Sequence, residues 1–163
     1  MRAALAAFLA LTVVSPAAAA DCPQERAIYG DEAGLYRLTF QPVDAETSAA
    51  THRFSVTAKD SAVTLDGYVM TTEPVARPQG MLFYNCPEGD ATGADLAACT
   101  VWQDILYGTA GGRIVALPAQ GEGALAELLL PGFAPSLQAS SAWGKGKLTI
   151  APPDVLALKG CAS

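Results

Sequence analysis

The chain holds one histidine, His52, and 10 lysines and arginines against 16 aspartates and glutamates, for a formal net charge of -6. Each scarcity closes off a chemistry. With one histidine, any serine or cysteine nucleophile relay must run through His52, which opens an alternating run beside Arg53 and is expected at the surface. The H-E-x-x-H zinc pair, the G-x-S-x-G nucleophile elbow and the phosphate-binding loop are absent. No two cysteines show the close C-x-x-C spacing of a zinc site. Nucleic-acid binding needs clustered basic residues to displace counterions, and only Lys145 and Lys147 lie close together, in a Gly-Lys-Gly-Lys stretch that reads as a turn. After residue 20 no apolar run approaches the roughly 20 residues of a membrane-spanning helix. Neither an internal repeat nor a low-complexity segment is present. No cofactor, metal or nucleic-acid partner is therefore expected.

What is present begins at the N-terminus. Arg2, an apolar run over residues 3–14, and small residues at Ala18 and Ala20 ahead of Asp21-Cys22 read as a secretory signal over residues 1–20, cleaved after Ala20. Residues 21–163 would then form a single exported domain, since a chain of roughly 150 residues buries about 68–70% of its unfolded surface. Bacterial lipoprotein signals carry a small neutral residue where Asp21 precedes Cys22, so lipidation is not expected. Abundant alanine and a lone asparagine, Asn85, point to a bacterial source and a periplasmic or secreted location.

Export places the four cysteines in an oxidising compartment, where disulfides form. Four cysteines permit three pairings. The one expected joins Cys86 to Cys99 across a polar loop, and Cys22 to Cys161 across the two ends of the mature chain.

Periodicity reads as short strands. Residues 35–41 set Tyr36, Leu38 and Phe40 against Leu35, Arg37 and Thr39, and residues 52–58 set Phe54 and Val56 against Arg53, Ser55 and Thr57. Residues 63–70 continue the pattern around Asp66-Gly67, which reads as a tight turn or a bulge. Further β-like runs cover residues 81–84, 101–107, 113–117, 147–150 and 155–158. Residues 122–130 are rich in Ala, Leu and Glu and are expected to be helical up to Pro131-Gly132. The expected fold is thus β-rich or α+β: one small, mostly antiparallel sheet, sandwich or barrel-like, with one helix near 122–130 and disulfide staples.

Three stretches invite a functional reading. Gly121 to Ala126 formally matches G-x-G-x-x-A, but the acidic residue a dinucleotide site needs about 20 positions on is missing, so a helix-entry turn is expected. Asp104, in a run with Trp102 and Leu106, is the weak candidate for a carboxylate-dependent hydrolase, since glycosidases use paired acids and no histidine. The loop between Cys86 and Cys99 carries Glu88, Asp90 and Asp95; pre-ordered by a disulfide, it offers an acidic surface to a basic protein partner. The calcium-loop spacing is not met there. The function expected is a non-catalytic exported binding or accessory protein, one form of which inhibits a basic envelope enzyme; a small carboxylate hydrolase and a structural envelope component are the alternatives.

Overall fold

A computed structural model describes residues 22–44 and 46–163; the expected signal segment and its cleavage point lie outside the described residues. The alternating runs become strands whose buried sides follow the sequence pattern. Strand β1 (Ala27–Gly30) is followed by β2 (Tyr36–Gln41), β3 (His52–Ala58), β4 (Thr64–Thr71), β5 (Pro78–Phe83) and β6 (Thr100–Ile105), each pairing antiparallel with the one before. Next come β7 (Tyr107–Ala110), β8 (Arg113–Ala116), β9 (Glu127–Leu129) and β10 (Val155–Cys161). The order across the sheet is β6-β5-β4-β3-β2-β1-β10-β9-β7-β8.

That order has a geometric consequence. Strand β6 lies at one edge and β7 next to last at the other, yet Leu106 alone separates them in sequence. One residue cannot cross a flat ten-stranded sheet, because neighbouring strands lie about 4.8 Å apart. The sheet therefore curls until its ends approach, as a half-barrel, with fully buried Leu106 at the corner. The β-like run at 101–107 is in this way divided between two strands.

The concave side is filled. Tyr29, Leu38, Phe40, Phe54, Leu65, Leu82, Trp102, Leu128 and Leu156 are all buried, and Phe40 stacks at a tilt on Phe54 with ring centroids 5.5 Å apart. One end is covered by a short helix, α2 (Phe133–Gln138), whose Phe133 meets Trp102 edge to face at 6.2 Å; the Trp102 Nε1–H donates to the Pro131 carbonyl at 2.9 Å. The other end is covered by a 3-10 turn at Gln24–Arg26 and the segment 117–125. Two disulfides complete the frame: Cys22 with Cys161 (Cα–Cα 5.6 Å) and Cys86 with Cys99 (5.2 Å). The first clamps the strands at the two ends of the described chain, β1 and β10, which pair through Ala27 and Cys161. Such bridges fit an oxidising compartment. Among the described residues, no helix is long and apolar enough to cross a membrane.

Several segments depart from the expected pattern. Residues 122–130 are not helical: the segment is extended and ends in β9, between β7 and β10. Helix propensities differ by only tenths of a kcal/mol per residue, and a nine-residue helix is marginal alone, so a vacant place in the sheet decides the matter. Gly108 makes that place, since a Cβ there would lie 2.3 Å from the Glu127 carbonyl oxygen and 2.4 Å from Leu125. Asp66-Gly67 is neither turn nor bulge but the middle of β4, paired with Ser55 and Phe54. Residues 147–150 form no strand, only a bridge from Leu148 to Trp143. Finally, the polar loop before Cys99 contains a second helix, α1 (Gly93–Cys99), held by a capping box between Thr92 and Asp95.

Candidate functional site

The loop between Cys86 and Cys99 is built from its own local bonds. The Thr92 hydroxyl accepts from the Asp95 N–H at 3.3 Å, and Asp95 Oδ2 accepts from the Thr92 N–H at 2.9 Å. The Thr92 hydroxyl also meets Asp95 Oδ2 at 2.7 Å, and this contact, with the bond from the Thr92 N–H, favours the ionised carboxyl and holds Asp95 below the usual carboxylate range. Asp95 is therefore committed to shaping the helix, whereas Glu88 and Asp90 are exposed and their carboxylates make no hydrogen bond among the described residues. Of the seven residues of α1 only Cys99 is buried, and Leu96 stands 43% exposed. The flank of the loop is a groove of about 470 Å³ where Lys147 Nζ lies 5.6 Å above the Tyr84 ring and donates to the Ser141 carbonyl at 2.7 Å.

Asp104 lies on the exposed side of β6, opposite Gly80, and its Oδ1 accepts from the Ile105 N–H at 2.6 Å. It lines none of the three clefts described for the molecule. The alternation that put it on the face of Trp102 and Leu106 breaks down as the strand bends toward the Leu106 corner. The stretch 121–126 makes no phosphate-binding turn: Gly123 bridges to Pro23, the Gln24 N–H donates to the Glu122 carbonyl, and it leads into β9, which is antiparallel to both its neighbours, and not into a helix. No group of three or more His, Cys, Asp or Glu side chains is placed to hold a metal among the described residues.

His52 is not at the surface. It is 3% exposed and meets Phe40 edge to face at 5.7 Å. The signal for this was present, because His52 shares parity with Phe54 and Val56 on the inward face of β3. Its Nδ1 lies 3.1 Å from the Thr51 Oγ1, while its Nε2 is buried without a well-formed hydrogen bond among the described residues, the Pro118 backbone being the polar group near the ring. Burial disfavours the charged ring and lowers its pKa, against a smaller upward pull from Glu25 and Pro118. A buried polar group left unpaired costs about 1–3 kcal/mol.

His52 also borders the largest of the described clefts, about 550 Å³, walled by residues 48–52, 76–78 and 117–120 with Thr71. The far wall is rigidly held. Gln120 clasps the backbone of Val43 from both sides, accepting from its N–H at 3.0 Å and donating to its carbonyl at 3.2 Å. Glu25 accepts from the Gly121 N–H at 2.8 Å, and Gln24 Oε1 accepts from the Leu125 N–H at 3.1 Å. Gln24 Oε1 also takes the Tyr29 hydroxyl at 3.0 Å, whose pKa burial pushes up to about 12.

Comparison with protein-family models, curated proteins and solved structures finds no match to this chain.

Proposed function

We propose that this is a non-catalytic binding or accessory protein, exported to the bacterial periplasm or beyond, that presents the loop between Cys86 and Cys99 to a basic envelope enzyme. The observation that carries the reading is α1. A seven-residue helix is far too short to be stable alone, and this one contributes only Cys99 to the interior. A disulfide and a capping box nevertheless hold it in shape, with Leu96 outward and Glu88 and Asp90 beside it. Structure maintained at a surface without serving the core lowers the ordering cost of docking. The filled interior supports the same reading, since the sheet encloses no lumen in which to carry a ligand as open barrels do.

The partner chemistry follows from charge: a net -6 chain steers toward a basic surface, with an apolar contact at Leu96 for affinity. The test is binding to a panel of basic wall-lytic enzymes, a basic lysozyme among them, measured by interferometry with inhibition of lysis as second readout. Glu88→Gln with Asp90→Asn should weaken binding roughly fivefold, from two exposed charges at about 0.5 kcal/mol each. Asp95 is left intact in this variant because its loss would unmake the helix. Equal affinity in the double variant, or no binding across the panel, overturns the proposal.

A further inference from the structure

The end of the half-barrel under residues 117–125 departs from the packing elsewhere. The two buried side-chain nitrogens without a partner among the described residues, Gln24 Nε2 and His52 Nε2, both sit there. Core packing normally satisfies such atoms or replaces them with carbon. Both fall at one end, and of the two His52 also lines the largest described cleft, which sets this region apart from a merely structural cap.

The cleft has the properties of a small-ligand seat. Its volume of about 550 Å³ falls within the range of roughly 300–1,000 Å³ usual for such sites. Small side chains, Ala50, Ala76 and Pro118, keep it open. It is preformed, since the Gln120 clasp on Val43 fixes one wall and the paired bonds from the Thr51 N–H and hydroxyl to the Val69 carbonyl fix another. At its rim stands Arg77, whose guanidinium donates to the adjacent Ala76 carbonyl and makes no ion pair among the described residues. It is the one Lys, Arg, Asp or Glu among the residues that line the cleft. Guanidinium presents a planar fork of donors that matches a carboxylate.

We infer that this cleft binds a small amphiphilic carboxylate, its apolar tail lying along the Ala50, Ala76 and Pro118 walls and its carboxylate paired with Arg77. The site lies at the covered end of the sheet and draws on none of the residues of the Cys86–Cys99 loop, so it stands or falls separately from the docking surface.

The experiment is an NMR titration of the full mature protein with octanoate, octanol and acetate, following the His52 ring protons and the backbone amides of residues 48–52 and 117–120. Octanoate should give saturable shifts confined to those signals, with at least tenfold weaker binding for both octanol and acetate. Arg77→Gln, an exposed substitution that leaves every buried contact in place, should lower octanoate affinity to that of octanol. Absence of saturable shifts with octanoate overturns the inference. So does equal binding of octanol, which would make the cleft a charge-blind apolar surface, or equal binding of acetate, which would make Arg77 an adventitious anion contact.

Discussion

Replacing Gly67 by alanine tests how closely the curled sheet is packed. Gly67 lies mid-strand in β4 on the buried side, opposite Phe54. A Cβ at this position would sit 2.4 Å from Phe54 Cε2 and 2.5 Å from Cζ, whereas real Cβ contacts essentially never fall under 3.0 Å. The ring must therefore move, and it is walled in by Phe40. Overpacking of this order costs about 1–3 kcal/mol, partly offset by the roughly 0.5–1 kcal/mol that alanine recovers from the backbone entropy of glycine. With three ring atoms of Phe54 at 2.4, 2.5 and 2.6 Å the overpacking falls in the upper part of that range, about 2–3 kcal/mol, so the net loss is about 1–2.5 kcal/mol, which for a chain of this length lowers Tm by roughly 3–7 °C. Urea denaturation with both disulfides intact should show a lower midpoint at unchanged m. The cause is isolated in the background Phe54→Leu, where the ring is gone and Gly67→Ala should cost little or be neutral. A single variant as stable as the parent, or an undiminished cost in the Phe54→Leu background, refutes the reasoning.

Three further outcomes follow from the same geometry. His52 has its pKa lowered by burial from 6.5, so the unfolded chain binds the extra proton as pH falls below about 6.5; stability should decline through that window toward the folded value, and His52→Gln should flatten this part of the curve relative to the parent in paired urea titrations at pH 8 and pH 5. A parent and variant with parallel curves would contradict the burial. Tyr29, with its pKa raised from 10.0 to about 12, keeps its proton when folded, so stability should be lost as pH rises from about 10 toward 12; burial, with Asp31 beside it, also raises Tyr36, so ultraviolet titration should show late tyrosines, one fewer of them in Tyr29→Phe. Thr92→Ala removes the cap of α1 at about 1 kcal/mol, but only from that helix; hydrogen exchange at the Leu96 and Thr100 amides should quicken while the global melting temperature stays put, and a drop in that temperature would mean the loop supports the core after all.

Period-two alternation was the legible signal because it is local. Tyr36, Leu38 and Phe40, then Phe54 and Val56, bury as their spacing requires, and the same parity would have placed His52 inward had chemical type not been weighed above position. The two disulfides were legible as well, since one pairing closes a short loop and the other joins the two ends of the described chain. Residues 122–130 misled because composition there reports what an isolated segment prefers, while the outcome depends on Gly108, a dozen and more residues earlier, clearing a space for Leu125 and the Glu127 carbonyl. Gly67 misled for a related reason: next to Asp66 it has the look of a turn, but the missing side chain makes room for a ring on a neighbouring strand.

The cleft was beyond reach for a stricter reason. Its walls come from residues 48–52, 76–78 and 117–120, three connections with no shared motif, brought together only because the sheet curls far enough for the chain to turn from β6 into β7 at Leu106. That corner follows from the ladder order and not from any pattern within residues 101–107. The same curl explains why the molecule divides its surfaces as it does. Aromatic side chains fill the concave side, so a small ligand can be seated only at an end, and the end under α2 is closed by Trp102 and Phe133. The opposite end is spanned by a strap pinned through Gln24, Glu25 and Val43, and it leaves His52 covered but unsatisfied. Shortening that strap's hold therefore tests the division directly: Gln120→Ala frees Val43 and should loosen the 117–120 wall, raising amide exchange at Val43 and weakening octanoate binding, while α1 and its capping bonds keep the parent's exchange rates. Exchange rising at both places would mean that the two surfaces are coupled through the sheet, contrary to the independence argued for them.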